Sequence, residues 1–332
     1  MMRGALLSLA CGSLLFGAQA SLLDLAMPDA RVLMGIRMER LRESTLVRAL
    51  WTQGPAREPE MSELTRLTGF DPLRDLHEVV IASAGGSKAT VLLVARGAFA
   101  ATDLAAVARE RAKRRETYQG VEIFFSGDSG EPMALAFLSD SVLVAGDPVN
   151  VRGAIARRGR VGLPPGELRR KAEELSQRFD AWGYSIAPVA ELAARTPREQ
   201  TAGIFEGEVI KAIEQAGGGM RLDQGVELEL TTVSRSEQDA AGLANAVRFF
   251  TGLLQARDPV AGSYIRDLRV EGRALLLSLA IPESELTRLL GMFRASQAAA
   301  PKPAGPREGG VTIYSSPNDM GVVKIPAPAP KP

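Results

Sequence analysis

Between residues 226 and 231 the chain alternates strictly, with Val226, Leu228 and Leu230 on one side and Glu227, Glu229 and Thr231 on the other. Successive side chains of a strand point to opposite faces, so this period of two describes a strand with one apolar and one wet face. Half-covered strands of that kind belong to antiparallel sheets. The pattern recurs near residue 32, where Val32, Met34, Ile36 and Met38 share one side and Arg31, Leu33, Arg37 and Glu39 the other.

Turn residues place further strands around these two. Gly85-Gly86 separates apolar runs at 79–84 and 90–95, which predicts a hairpin. Strands are expected at 121–125 and 134–144, at 181–186, and at 274–281 after a turn at Glu271-Gly272. Helices are expected where caps precede apolar periodicity. Thr102 caps one carrying Leu104, Val107 and Ala108, and Asp147-Pro148 opens another. Ser236 and Asp239 open the strongest, with Leu243, Val247, Phe250 and Leu254 on one stripe. A helix is expected over 207–215, and Gly217-Gly218-Gly219 is expected to break the chain after it.

Each half ends in a hairpin followed by an Asp- or Pro-initiated helix. The fold class expected is therefore α+β, as two related modules of antiparallel hairpins packed with helices, a mixed sheet being possible. Their ranges are 21–160 and 161–296. Residues 297–332 are Pro/Ala-rich and read as linker and tail, with one possible short strand at 311–314.

Residues 1–20 have the makings of an export signal. Arg3 gives a positive start, an apolar run follows to Ala18, and Ala18-Gln19-Ala20 supplies the small residues a signal peptidase reads. The run is too short for a spanning helix. The exported chain is expected to begin at Ser21, in the periplasm or outside the cell, with no transmembrane segment. Cys11, the only cysteine, leaves with the leader. Ser8-Leu9-Ala10-Cys11 loosely matches a lipoprotein box, but the apolar run continues past Cys11, which argues against lipid anchoring there. Losing Arg3 also balances 40 basic against 39 acidic side chains. That disfavours nucleic acid as partner, since polyanion binding draws on a basic excess.

Without a thiol, and with His77 the single histidine, few catalytic groups remain. Gly127-Asp128-Ser129-Gly130-Glu131-Pro132 resembles the nucleophile loop of trypsin-like serine proteases, and His77, Asp103 and Ser129 follow the chain order of that family's triad. Glu131 departs from the family's glycine, His77 sits between Leu76 and Glu78, and the spacing is too short for that fold. A polar hairpin loop explains the same residues. His77 lies near Asp71, Asp75 and Glu78, yet lacks the paired-ligand spacing of a zinc site. Gly85-Gly86-Ser87-Lys88-Ala89-Thr90 fails as a phosphate loop, because an alanine separates Lys88 from Thr90 and a strand follows. The basic runs at 109–115 and 152–171 are interrupted by acids and carry no interleaved aromatics, so they read as solvated faces. Glu227 and Glu229 could form a glycosidase-type carboxylate pair, but an exposed strand face produces the same spacing.

Pro28-Asp29-Ala30-Arg31-Val32, Gly69-Phe70-Asp71-Pro72 with Asp75-Leu76, and Ala136-Phe137-Leu138 leading to Val144-Ala145-Gly146-Asp147 carry one further likeness. In these runs the chain resembles uncharacterised exported proteins of acidobacterial-type soil bacteria. The resemblance implies export and a whole-chain α+β arrangement, and it transfers no functional residue. The reading that follows is an exported non-catalytic binding or scaffold protein, without cofactor or metal. Its partner would be another protein, a cell-envelope component or an apolar small molecule. The alternatives are a hydrolase, acting at Ser129 or through a carboxylate pair, and a carrier of an apolar ligand.

Overall fold

The computed structural model describes residues 21–44, 47–48, 65–86, 90–127, 133–160, 162–193, 208–223, 225–257, 260–286 and 288. Two compact units divide the chain, Met1–Glu283 and Ser284–Pro332. Within the second, Arg288 Nε donates to Glu285 Oε2 at 2.8 Å. The sheet, cores and cavities described below all belong to the first.

Twelve strands form one sheet: β1 (Val32–Arg37), β2 (Leu76–Ser83), β3 (Val91–Gly97), β4 (Arg114–Tyr118), β5 (Val121–Phe125), β6 (Ala134–Ser139), β7 (Val142–Gly146), β8 (Ala181–Ser185), β9 (Ile213–Arg221), β10 (Gly225–Ser234), β11 (Ile265–Glu271) and β12 (Ala274–Pro282). Their order across the sheet is β11-β12-β10-β9-β8-β1-β2-β3-β7-β6-β5-β4. Every neighbouring pair is antiparallel. Open sheets seldom exceed about ten strands.

This corrects the expected fold class. The two α+β modules, with a mixed sheet possible, give way to a single antiparallel sheet that runs through both halves of the chain. The physical reason lies in β1, which pairs with β2 on one edge and with β8 on the other. Glycines make that junction close. A Cβ at Gly35 would overlap the Trp182 ring, one at Gly217 the Tyr184 ring, and one at Gly219 the Phe179 ring. The three aromatic rings lie directly on neighbouring backbone. The glycine triplet expected to break the chain therefore lies inside β9, and strand replaces the expected helix from Ile213 onward.

Two other expectations shift for local reasons. Residues 134–144 are two strands, because Asp140 and Ser141 turn between β6 and β7. Arg114–Tyr118, inside a basic run, is the edge strand β4, turned into β5 by Gln119 (φ 47°) and Gly120 (φ 77°). Positive φ at both central residues matches the twist of a two-residue hairpin.

The helices used below are α1 (Met38–Glu43), α2 (Pro72–Asp75), α3 (Leu104–Arg111), α4 (Pro148–Ala156), α5 (Glu167–Arg178), α6 (Val189–Ala193), α7 (Glu208–Lys211) and α8 (Glu237–Arg257). Three cores result. On the first face of the sheet, Leu33, Val80, Ala82, Leu92, Val94, Ile123, Phe125 and Val144 are covered by Leu22, Leu23, Val151, Ile155, Leu168 and Leu175. On the second face, Phe70 and Phe99 pack on Ala95 and Leu143 at one end. At the other end Leu243 and Ala244 of α8 pack with Ile213 and Leu275. On β1, Leu33 is fully buried in the first core, while Met34 on the other face is 45% exposed. Glu227 and Thr231 of β10 do point to water, as their alternation requires.

Candidate functional site

A cavity of about 390 Å³ opens beside the first core, lined by Ser21, Leu22, Asp24, Leu25, Arg96, Leu138, Ser139, Val142, Arg158, Gly159 and Arg160. Its size falls within the ordinary range for small-molecule sites. The strand period explains the lining. Leu92, Val94 and Arg96 of β3 share a face, and Arg96 stands opposite Val142 of β7 in register. The core thus continues as apolar wall for one more row before a guanidinium meets it. Leu138 enters the wall through a register shift between Phe137 and Ser139, where one extra residue is accommodated.

The rim is basic. Arg158 donates to the carbonyls of Ile155 (3.2 Å) and Gln119 (2.9 Å), which hold its stem. Gly159, at φ 73°, reverses the chain so that Arg160 returns to the cavity. Asp24, the one lining carboxylate, pairs with Arg169 at 2.9 Å. The lining thus sets three guanidinium groups, Arg96, Arg158 and Arg160, against one carboxylate above apolar walls. The floor is fixed by a 3-10 turn, Leu22–Leu25, whose first cap is Ser21: Leu23 N donates to Ser21 Oγ at 3.3 Å. Arg157 donates to Leu25 O at 2.9 Å from behind, and burial pushes its guanidinium pKa down.

A second cavity, of about 200 Å³, lies against α5 and is lined by Tyr184, Glu167, Arg178, Gln215 and Glu229 among others. Tyr184 Oη donates to Glu167 Oε1 at 2.9 Å. Burial and the adjacent carboxylate push the phenol up to about 12, so it stays a neutral donor. Arg178 binds Glu229 at 2.6 Å, and Arg221 pairs with Glu227. Both members of the sequence-predicted carboxylate pair are thereby tied to guanidinium groups.

The remaining sequence-predicted site residues are placed as follows. His77 lies on β2 with a 40% exposed side chain, and its Nδ1 is 3.8 Å from Glu39 Oε1. Asp103 precedes α3, its backbone N–H donating to Thr68 O at 2.8 Å, and its carboxylate makes no cap bond. Ser129 lies outside the described residues, as do Cys11, residues 1–20 and residues 311–314. Among the described residues no hydrogen bond or ion pair joins His77 to Asp103. Among the described residues no three His, Cys, Asp or Glu side chains gather as a metal site requires. The basic runs are engaged locally: Arg152 grips Glu116 at 2.8 and 2.7 Å, Arg109 binds Glu122, and Lys171 binds Glu174. Asp75, buried, is held below the usual carboxylate range by Arg74. The basic cavity was legible in the sequence only through Arg96 as third member of an alternating apolar set; the arginines after α4 join it through long-range packing.

Fold and geometry together define an antiparallel single-sheet protein with a basic-rimmed apolar cavity. No family model matches the chain, and no curated protein matches it either. Among solved structures, it is similar to TP0453 in crystal form III, with a TM-score of 0.51 at 9% identity, covering 83% of this chain and 99% of that one. Crystal form I of TP0453 aligns with a TM-score of 0.47 at 11% identity, covering 83% and 98%. At such identity the first likeness concerns the fold alone. Among the described residues no helix is long and apolar enough to cross a membrane.

Proposed function

We propose that the chain is an exported binding protein that carries an amphiphilic anion, a medium-chain carboxylate being the simplest example. The observation that carries this reading is the pairing, in one cavity, of walls from Leu22, Leu25, Leu138 and Val142 with a rim from Arg96, Arg158 and Arg160. Apolar walls favour an alkyl chain through the area removed from water. Guanidinium groups favour a carboxylate through charge-assisted hydrogen bonds. Export is supported by the leader-like residues 1–20, and a carrier needs none of the nucleophile–base pairs that the chain is short of.

Isothermal titration with decanoate and with decanol tests it. Decanoate binds and decanol binds at least about tenfold more weakly, one such factor being worth about 1.4 kcal/mol. Leu138→Asp abolishes decanoate binding, and Arg96→Gln brings decanoate down to the level of decanol. Equal binding of acid and alcohol, or binding indifferent to Leu138→Asp, overturns the reading.

A further inference from the structure

The strongest unassigned surface lies on α8. Its inner stripe, Ala240, Leu243, Ala244 and Val247, packs toward the sheet. A helix with one apolar stripe should be polar elsewhere. Here Phe249 is 64% exposed, Phe250 63% and Leu253 50%. The sequence had placed Phe250 in the buried stripe; the structure turns it out to water beside Phe249, the ring centroids 5.7 Å apart. At the spacing of a second helical stripe, Gly242 and Ala246 precede Phe249 and Leu253.

Gly242 is the telling residue. Glycine in mid-helix is destabilising relative to alanine. Among the described residues nothing demands it, since a Cβ there would meet no atom within 4 Å, and its φ is not positive. A glycine without an internal reason, on the same stripe as uncovered rings, fits close approach from outside.

We infer that α8 is the seam of a two-fold symmetric dimer of this chain, with the two helices antiparallel. The stripe reads small, small, large, large: Gly242, Ala246, Phe249, Leu253. A two-fold axis passing between positions 247 and 248 sets Leu253 on the partner's Gly242 and Phe249 on the partner's Ala246, and the reciprocal contacts follow by symmetry. A parallel pair would set ring on ring and glycine on glycine. Charge agrees with the antiparallel choice. The first turn holds Glu237 and Asp239, while the helix beyond Asp239 contains Arg248 and Arg257 and no acid. Antiparallel pairing lays the acidic end against the basic half, and opposes the two helix dipoles.

The test uses the full chain in a Cys11→Ser background, which has no other cysteine. Sedimentation velocity shows a concentration-dependent dimer. Phe249→Asp weakens it at least about tenfold, as loss of a central aromatic anchor does. Gly242→Phe, which fills open space in the monomer, also abolishes it while leaving the unfolding midpoint near that of the parent. Orientation is read by mild oxidation. Ala246→Cys becomes a disulfide-linked dimer, because the two copies are offset by only about 4.5 Å along the helices. Ala256→Cys stays monomeric, its copies being about 25 Å apart along the helices. A monomer at several hundred micromolar overturns the inference. So does equal cross-linking of both variants, or a monomer whose Phe249 is instead needed for flotation with phosphatidylglycerol vesicles.

Discussion

Gly219→Ala separates intrinsic preference from packing, because the two give opposite signs. Glycine inside a strand is destabilising by about 0.5–1 kcal/mol relative to alanine, so preference alone makes the substitution stabilising. In the structure the new Cβ would enter the ring of Phe179, which is fully buried at the end of α5. The ring has no free direction to give. Overpacking of a closed core costs about 1–3 kcal/mol, and the full loss of a buried phenylalanine costs about 3–5 kcal/mol. The net expectation is destabilisation of about 2 kcal/mol, from the larger overpacking term less the strand gain. Urea unfolding followed by circular dichroism measures it as a lower midpoint at unchanged slope. Phe179→Ala supplies the second arm of a double-mutant cycle, and Gly219→Ala should cost much less in that background. A Gly219→Ala protein as stable as the parent, or additivity with Phe179→Ala, would refute the argument that β9 needs glycine for ring contact.

Four further outcomes are expected. The Tyr184 phenol has a folded-state value raised from 10.0 to about 12, so its contribution is intact below pH 10 and is lost between pH 10 and about 12; Tyr184→Phe should flatten the alkaline fall in unfolding midpoint over that window. Asp75 accepts from Asp71 N at 2.7 Å and from Arg74, so Asp75→Asn should cost about 2 kcal/mol at neutral pH. The Asp75 value is lowered below 3.8 in the folded state, so the difference should shrink as pH falls through that region, read by urea melts at pH 7 and pH 3. Intact mass of the secreted protein should correspond to a chain beginning at Ser21; retention of Cys11 with added lipid mass would count against that leader reading. A fluorophosphonate probe should leave the protein unlabelled on a fluorescent gel, and labelling abolished by Ser129→Ala would restore the serine-hydrolase alternative.

Individual strands were legible where turn chemistry and alternation coincide. Gly85-Gly86 and Glu271-Gly272 punctuate hairpins, and β10 shows its wet side directly as Glu227 and Thr231. What connects the strands was not. The pairing of β1 with β8 joins residues near 34 to residues near 183, a choice that no local window contains. Gly217-Gly218-Gly219 carries a breaker's composition, and only the rings of Tyr184 and Phe179 make it a strand. Arg114–Tyr118 reads as a charged run because edge strands carry charge as protection against further pairing. The cavity shows the same division: Arg96 could be placed on an apolar face from its period, whereas Arg158, Arg160 and Ser21 reach it through tertiary contacts.

The position of β1 also bears on biogenesis. It is the earliest strand made and lies in the middle of the sheet, with six strands on its β2 side and five on its β8 side. Until Ala181 emerges, the nascent polypeptide can assemble β1 to β7 but leaves one whole flank of β1 as a bare row of amides and carbonyls. Such a flank templates association with other chains. A cell making this chain would have to shield that intermediate, and truncations ending before residue 181 should precipitate where the full chain does not.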